Sequence, residues 1–238
     1  MCPDNTVRMF PVVLMNWIEG ETLKRFVYSY FHDNEPKYHY HDFGNLALNF
    51  IDLANWICQQ DFAHGDIQPN NILITKNGQI VLLDYDNMFV HDISGTGSIQ
   101  TGNQHYIHPD GNLTKSDSSI DDFPLTVIAF SLCALAVNEK VHNIDFEDAL
   151  VLSNQDYLQW VKPELMNKLG LVLHDPICAS LFSAISDLIA NRNVNLPEVF
   201  SLKSRVSSNP PIYLPFKLGK NGSSRISGAY VKIGRLEC

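Results

Sequence analysis

The first half of the chain shows two different spacings of apolar residues on either side of a polar loop. Between Leu46 and Ile57 the apolar residues follow a helical spacing, which predicts an amphipathic helix that packs one face inward. Residues 71–84 read N-I-L-I-T-K-N-G-Q-I-V-L-L-D, two short apolar runs around an Asn-Gly pair, and predict a β-hairpin with a tight turn. The residue that caps the helix stays open among three candidates in the polar stretch before it: Asp33, Asn34 and Asp42.

The second half is dominated by helical patterns. The longest apolar stretch, Phe123 to Val137, contains Pro124 and is too short to span a membrane, so a buried helix is the better interpretation. Asp175-Pro176 is typical of a helix start with proline at the first helical position, and the apolar residues as far as Ile189 are expected to pack inward. Helices that outweigh a few short strands indicate the α+β class.

The composition indicates an ordinary soluble globular protein followed by a basic segment. The chain of 238 residues is long enough for one good core, and its residues are 45% hydrophobic and 18% charged. Residues 203–238 carry seven basic residues and one acidic residue, whereas the rest of the chain carries 10 basic and 25 acidic ones. We therefore expect one domain over 1–204 and a flexible tail, containing Pro, Gly and Ser, over 205–238. The acidic body argues against nucleic acid as the main partner, and the basic tail suits contact with an acidic surface.

The cysteines and the N-terminal residues bear on the compartment. Cys58, Cys133 and Cys178 lie in apolar, helix-like surroundings, which favours buried reduced thiols. Residues 1–14 lack the basic start and the long apolar segment of a signal peptide. A cytoplasmic protein with no membrane contact is therefore expected. Zinc binding is disfavoured, because the histidine clusters have no cysteine pair nearby.

The polar loop over residues 64–71, called the 64–71 loop below, carries the candidate chemistry. It reads H-G-D-I-Q-P-N-N, and Asp84 follows eighteen residues after Asp66. The hairpin is expected to fold Asp84 back beside Asp66 and Asn71, and Mg²⁺ prefers such oxygen ligands. Asp84 and Asn71 suit metal binding, while Asp66 suits accepting a proton from an incoming hydroxyl group, or orienting it. The alternative is a purely structural turn, because Asp, Asn and Pro are favoured in turns for backbone reasons.

With its hairpin, the loop resembles the catalytic core of the protein kinase superfamily, and the resemblance covers about residues 10–200. It implies a protein-kinase-like α+β fold: a mainly helical C-terminal lobe with a short catalytic-loop hairpin and a remnant of the hinge. By resemblance, His64 orients the loop and Asp66 acts on the acceptor hydroxyl group. Asn71 and Asp84 match the magnesium ligands of the family.

A nucleotide site is implied by residues 10–23, which read F-P-V-V-L-M-N-W-I-E-G-E-T-L. This segment is similar to the last strand of a kinase N-terminal lobe running into the hinge. The resemblance assigns Met15 as the gatekeeper and the backbone of Asn16, Trp17 and Ile18 as the contacts to adenine. It assigns Glu21 or Thr22 to the ribose contact and Leu73 to the adenine floor. The alternative is an amphipathic strand followed by a helix start.

Further segments extend the resemblance. Residues 102–110, G-N-Q-H-Y-I-H-P-D, are similar to the end of a kinase activation segment, which implies a platform for a protein substrate. Asp121 matches the aspartate that anchors the catalytic-loop backbone in the family, and Asp110 is expected to pair with Arg192. Residues 84–88, together with residues 106–109, are especially similar to those of a group of bacterial kinase-like proteins.

Several positions depart from the kinase pattern. Gly65 replaces the arginine of H-R-D, so activation by a phosphate that docks on that arginine is not expected. Gln68 stands where a lysine steadies the γ-phosphate, and a neutral amide cannot supply that charge. Asp86 replaces the glycine of D-F-G. Because few residues precede the hinge-like segment, the glycine-rich loop and the ATP-gripping lysine of the N-terminal lobe are expected to be missing.

The sequence therefore predicts ATP- and Mg²⁺-dependent phosphoryl transfer to a protein hydroxyl group, by a lobe that a separate N-terminal lobe or partner chain completes. One alternative is a pseudokinase or docking module without turnover, which Gln68, Asp86 and the missing upper lobe favour. Another is a small-molecule kinase of the aminoglycoside or choline type, in which H-G-D is common. Residues 102–110 count against that second alternative. A protein substrate or regulatory partner is expected. Binding to nucleic acid or to a membrane is not expected.

Overall fold

The computed structural model describes residues 9–14, 17–33, 42–90, 102–110, 118–144, 148–202 and 232–237. It divides into two units, Met1–Glu19 with Tyr213–Cys238, and Gly20–Ile212. In the first unit, strand β1 (Met9–Leu14) pairs antiparallel with strand β7 (Lys232–Glu237). The tail predicted to be flexible thus contains a strand, and the domain boundary predicted at residue 204 stays a prediction.

The described part of the second unit contains two small antiparallel sheets. They are a three-stranded sheet in the order β2-β4-β5, made of β2 (Gly20–Thr22), β4 (Ile72–Thr75) and β5 (Ile80–Leu82), and a pair made of β3 (Phe62–Ala63) and β6 (Phe89–Val90). Ile72 lies opposite Leu82 and Ile74 opposite Ile80, which confirms the predicted hairpin. Gly78 supplies the positive φ, +75°, that the tight turn requires.

Helices form most of the second unit. Those within the described residues are α1 (Leu23–His32), α2 (Phe43–Ile57), α3 (Asp122–Val137), α4 (Asn154–Leu158), α5 (Pro163–Leu169), α6 (Pro176–Ile189) and α7 (Leu196–Ser201). A mainly helical chain with small antiparallel sheets confirms the predicted α+β class.

Two long helices begin at an aspartate that caps the backbone. Asp42 accepts a hydrogen bond from the backbone N–H of Asn45 at 2.7 Å, so Asp42 is the cap of α2 among the three candidates. Asp175 accepts from the N–H groups of Ile177 and Cys178, both at 2.9 Å, and this confirms the predicted start of α6. Such caps contribute about 1 kcal/mol each, because they satisfy N–H groups that have no partner inside the helix.

Helix α3 lies at the centre of the core. All residues from Phe123 to Leu135 are buried, and the helix packs against α2 and α6, where the rings of Phe130 and Phe182 lie 5.8 Å apart. The predicted buried helix is therefore confirmed. Together with the turn before it, the stretch Ser118–Val137 is long and apolar enough to cross a membrane by length and composition alone. Because 78% of its apolar 18-residue window is buried inside the protein, it has the position of a core helix.

The cysteines within the described residues are free thiols. The predicted burial is confirmed for Cys133 and Cys178 and is wrong for Cys58, which is half-buried. Burial raises the pKa of Cys58 to about 11, which keeps this thiol protonated and unreactive near neutral pH. The cytoplasmic location stays a prediction.

Candidate functional site

A buried aspartate fixes the backbone at the start of the 64–71 loop. The carboxylate of Asp121, just before α3, accepts hydrogen bonds from the backbone N–H groups of His64 and Gly65, the second at 3.0 Å. Asp121 is 1% exposed, and this burial raises its pKa to about 6 although the two N–H groups act in the opposite direction. The anchoring role expected of Asp121 is confirmed.

The ring of His64 links the loop to the end of the hairpin. Its Nε2 lies 2.9 Å from the carbonyl oxygen of Leu83, and its Nδ1 lies 3.3 Å from the backbone nitrogen of Asp66. These partners fit the neutral tautomer with its hydrogen on Nε2, and burial lowers the pKa of the ring. A neutral ring with both nitrogens engaged suits orienting the loop, the role expected of His64, better than transferring a proton.

Two amide side chains hold the carboxylate of Asp66. Nε2 of Gln68 donates to both carboxylate oxygens, at 2.8 and 2.9 Å, and Nδ2 of Asn71 donates to Oδ2 at 2.7 Å. Nδ2 of Asn71 also donates to the backbone carbonyl of Asp66 at 2.9 Å. Because both donors are neutral, they orient the carboxylate without neutralising its charge. A carboxylate has about four acceptor positions, so it retains the capacity for a further donor.

The hairpin returns the chain to the 64–71 loop just before Asp84. The backbone N–H of Leu83 donates to the carbonyl of Asn71 at 2.8 Å, so Asp84 follows next to Asn71, as the pattern predicts. Asp84 has left-handed backbone angles, φ +63° and ψ +73°, and its exposed side chain does not cap the 3-10 turn over Tyr85–Asn87. Such a conformation in a non-glycine residue costs about 1–3 kcal/mol and is concentrated at functional sites.

Asn71 and Asp84 offer oxygen atoms suited to a cation. The amide nitrogen of Asn71 is used by Asp66, which leaves the amide oxygen as a ligand atom, and the carboxylate of Asp84 is exposed. Within the ranges that the structure describes, no group of three or more His, Cys, Asp or Glu side chains is placed to hold a metal ion. An ion here would draw on phosphate and water oxygens, which is the usual way in which Mg²⁺ is bound. The two side chains fit that pattern.

Only part of the hinge-like segment lies within the described residues. Met15 and Asn16 lie outside the described residues. Trp17 and Ile18 belong to the first unit, and the side chain of Trp17 is 90% exposed. Their contacts with adenine stay predictions.

The other two expected nucleotide contacts lie on neighbouring strands of the three-stranded sheet. Glu21 on β2 is opposite Ile74 and forms an ion pair with Arg25 at 3.6 Å. Leu73 on β4 is opposite Thr22 and is 8% exposed. The expected ribose and adenine contacts of Glu21 and Leu73 stay predictions.

The segment resembling the end of an activation segment is fixed to α4 and to the chain before it. The hydroxyl group of Tyr106 accepts a hydrogen bond from the backbone N–H of Leu150 at 3.2 Å. The backbone N–H of Asn154 donates to Nδ1 of His105 at 3.0 Å, and the hydroxyl group of Tyr157 donates to the carbonyl of His105 at 2.8 Å. Because His105 and Tyr106 are buried, these bonds hold the segment firmly.

The predicted pairing of Asp110 with Arg192 is wrong. Asp110 accepts a hydrogen bond from the side-chain amide of Asn191, whereas the guanidinium of Arg192 donates to the carboxylate of Asp187 at 2.9 Å. Asn191 has φ +53° and turns the chain after α6, and the backbone N–H of Arg192 then bonds to the carbonyl of Asp187. The turn therefore holds Arg192 beside Asp187.

Two glycines belong to the site for steric reasons that sequence reasoning missed. A Cβ atom at Gly102 would lie 2.9 Å from Oδ1 of Asp66, and one at Gly65 would lie 2.1 Å from the carbonyl oxygen of Asn87. Both distances are shorter than Cβ atoms normally reach. The signal in the sequence was the glycine at position 65, where the kinase resemblance expects arginine.

Comparison with known proteins indicates a relationship to kinases over part of the chain. No protein-family model matches. Serine/threonine-protein kinase PrkC of Bacillus subtilis is 29% identical over 126 residues, which are 50% of this chain and 18% of PrkC. MAP kinase kinase skh1/pek1 of Schizosaccharomyces pombe is 30% identical over 95 residues, which are 37% of this chain and 25% of that protein. The matches thus span a quarter or less of each relative, and they suggest a kinase-like relationship at most.

Proposed function

We propose that this chain is a protein-kinase-like lobe for ATP- and Mg²⁺-dependent phosphoryl transfer to a protein hydroxyl group. The observation that carries the proposal is an oriented Asp66 carboxylate in the same loop as Asn71, with Asp84 returned to Asn71 by the hairpin. Partial similarity to two kinases supports the same class. Phosphoryl transfer relies on positioning and charge stabilisation rather than covalent chemistry, so prearranged carboxylates suit it.

Asp66 acts on the acceptor in this proposal. Its Oδ1 accepts one bond, from Gln68, and retains the capacity to accept one from a substrate hydroxyl group, which it would orient and deprotonate. Asn71, through its amide oxygen, and Asp84, through its carboxylate, would hold Mg²⁺, which supplies positive charge beside the phosphates. Gln68 keeps Asp66 aligned but brings no charge of its own.

A protein acceptor is favoured by the segment over residues 102–110. Gly102 lies close to the carboxylate of Asp66, and Tyr106 further along is buried and bonded to Leu150. A backbone segment held firmly next to the acceptor carboxylate gives an extended peptide a surface to bind. By resemblance, kinases of the aminoglycoside or choline type lack such a segment.

The nucleotide site requires more than the Asp66 region. Charge on the transferring phosphoryl group must be compensated by cations, and Gln68 supplies none. We therefore propose that a separate N-terminal lobe or a partner chain contributes them. Within the second unit, Glu21 would contact the ribose and Leu73 would form the floor of the adenine site.

Thermal unfolding with and without Mg-ATP tests the proposal. A ligand at 100 times its dissociation constant adds about 2.7 kcal/mol. At about 2–4 °C for each kcal/mol, this raises the Tm of a protein of this size by about 5–11 °C. We expect a Mg²⁺-dependent shift in the wild type and its loss in Asp84→Asn. The control is Asp86→Asn, which removes the same charge from an exposed neighbour in the same turn and is expected to retain the shift. A shift that survives in Asp84→Asn would rule out Asp84 as a metal ligand.

A docking module without turnover is the second candidate, and the contact between Gln68 and Asp66 favours it. The single amide nitrogen of Gln68 occupies an acceptor position on both carboxylate oxygens and provides no positive charge for a phosphate. Such a module would bind Mg-ATP or a protein partner without transferring phosphate. Single-turnover transfer from labelled ATP to protein, at saturating nucleotide, distinguishes the two: incorporation that Asp66→Asn abolishes supports the transferase, and nucleotide binding without incorporation supports the docking module.

A further inference from the structure

We propose that Gly65 is a positioning residue that locks the 3-10 turn Tyr85–Asn87 onto the 64–71 loop and thereby holds Asp84 at the site. The inference rests on the proposed function in one respect, the role of Asp84 towards Mg²⁺. The lock itself is a statement about packing, and it can be tested whether or not the chain binds a nucleotide.

The steric part of the lock is a contact between two backbone segments. Gly65 has φ +80°, and a Cβ atom built there would lie 2.1 Å from the carbonyl oxygen and 2.9 Å from the carbonyl carbon of Asn87. Real Cβ atoms do not approach other atoms to less than 3.0 Å. Since the obstacle is a peptide group and not the end of a flexible side chain, any larger residue at position 65 must displace the turn.

The loop side of this contact is fixed, so the turn is the part that moves. The backbone N–H of Gly65 donates to the buried carboxylate of Asp121 at 3.0 Å, and the neighbouring N–H of His64 donates to the same group. Displacing the loop would break hydrogen bonds to a buried acceptor, which is unfavourable because the buried groups would be left unsatisfied. The turn after Asp84 lies on the protein surface and yields more easily, as its half-buried and exposed residues show.

Asp84 lies within the stretch that the lock holds. The ring of His64 is 2.9 Å from the carbonyl of Leu83, and its centroid is 4.9 Å from that of the Tyr85 ring. Residues 83 and 85 thus contact His64 and residue 87 contacts Gly65, and Asp84 keeps its strained left-handed conformation between the first two of these contacts. Strain of this kind persists only where the surroundings over-determine the backbone.

The lock also explains the absence of arginine at position 65. An arginine there would collide with Asn87 at its Cβ atom, before its guanidinium reached any phosphate. The packed turn and a phosphate-docking arginine therefore exclude each other at this position. The turn is held by direct contact with glycine, and no phosphorylation is needed to order it.

Gly65→Ala tests the lock, with Gly78→Ala as its matched control. Gly78 also has a positive φ, +75°, but it lies in the tip of the hairpin, so the control carries a similar backbone strain without the contact to Asn87. The first measurement is hydrogen exchange of the Met88 amide, which closes the turn by donating to the carbonyl of Tyr85 at 3.1 Å. We expect faster exchange of this amide in Gly65→Ala and no change in Gly78→Ala.

The second measurement is the ratio of the dissociation constants for ATP without and with Mg²⁺. A purely structural role would lower stability and leave this ratio unchanged, whereas displacement of Asp84 lowers it. Loss of a group that orients a metal ligand typically weakens metal binding about 10- to 100-fold, and we expect the ratio to fall by that factor in Gly65→Ala but not in Gly78→Ala. Tyr85→Leu removes the ring contact with His64 and is expected to change both readouts in the same direction, which covers the case in which Gly65→Ala does not fold.

The outcomes separate the lock from the proposed function. If Gly65→Ala folds and its Met88 amide exchanges at the wild-type rate, the lock is overturned. If only Tyr85→Leu folds, an unchanged exchange rate of the Met88 amide in that variant overturns the lock. Faster exchange of the Met88 amide with an unchanged ratio of the dissociation constants for ATP without and with Mg²⁺ overturns the claim that Gly65 positions Asp84. If the wild type shows no Mg²⁺ dependence at all, the proposed function fails, while faster exchange confined to Gly65→Ala and Tyr85→Leu still supports the lock.

Discussion

Replacing Asp121 by asparagine tests how the 64–71 loop is anchored, because the two side chains have nearly the same shape. The carboxylate accepts hydrogen bonds from the backbone N–H groups of His64 and Gly65. An asparagine amide has a single acceptor oxygen and directs its NH₂ group at the second N–H. Losing one buried hydrogen bond costs about 1–3 kcal/mol. The substitution also removes a buried charge. That change stabilises the folded protein and so opposes the loss of the hydrogen bond.

The magnitude of the charge effect follows from the pKa of Asp121. Its folded pKa of about 6 lies above the ordinary value of 3.8, so the folded protein binds this proton more tightly than the unfolded chain does. The stability linked to Asp121 is therefore fully present below pH 3.8 and is lost as the pH rises through 6. At pH 5, about one unit below the folded pKa, the wild type retains about 1.4 kcal/mol that it lacks at pH 8. Asparagine does not titrate and shows no such change.

Urea unfolding of the wild type and Asp121→Asn at pH 5 and pH 8 measures this difference. The free energy of unfolding lost by the variant is expected to be about 1.4 kcal/mol larger at pH 5 than at pH 8. Asp61→Asn, at an exposed aspartate, is the control, and its effect is expected to agree at the two pH values within about 0.5 kcal/mol. Equal losses for Asp121→Asn at both pH values would refute the reasoning, since burial would then not have raised the pKa.

Two further substitutions test other contacts of the site. Tyr106→Phe removes the hydroxyl group that accepts the Leu150 N–H at 3.2 Å, and it is expected to lower the free energy of unfolding by about 1–3 kcal/mol in the same urea assay. An unchanged value would mean that water satisfies Leu150. Gln68→Lys places a cation next to Asp66 and is expected to tighten Mg-ATP binding about tenfold, as one charge-assisted contact would, when measured by nucleotide titration. The uncharged control Gln68→Met is not expected to do so, and equal affinities of the two variants would show that residue 68 does not face the phosphates.

The elements that are predictable from the sequence are those specified by a few neighbouring residues. The hairpin follows from apolar runs around Asn77-Gly78, and the start of α6 follows from Asp175 and the proline after it. The cap of α2 is not predictable in this way, because Asp33, Asn34 and Asp42 can all accept the same backbone hydrogen bonds. The pairing of β1 with β7 joins opposite ends of the sequence, and no local pattern records it.

The same distinction applies to the site. The proximity of Asp84 to Asn71 is predictable because hairpin pairing determines it, and the anchoring by Asp121 follows from the kinase resemblance. The partner of Arg192 is not predictable, because it depends on a left-handed turn after α6. The approach of Asn87 to residue 65 depends on the path of two backbone segments, and the sequence records it only as a missing side chain.

Related sites in other chains are better recognised by strand pairing than by residue spacing. What brings Asp84 to Asn71 is the antiparallel register of β4 and β5, not the eighteen positions that separate Asp66 from Asp84. Residues inserted at the tip of the hairpin lengthen that spacing but leave the strand ends together. A slip of one residue in the register instead turns the side chains to the opposite face. A search at fixed spacing therefore discards chains that share this geometry, whereas one that aligns the two strands and lets the tip vary retains them.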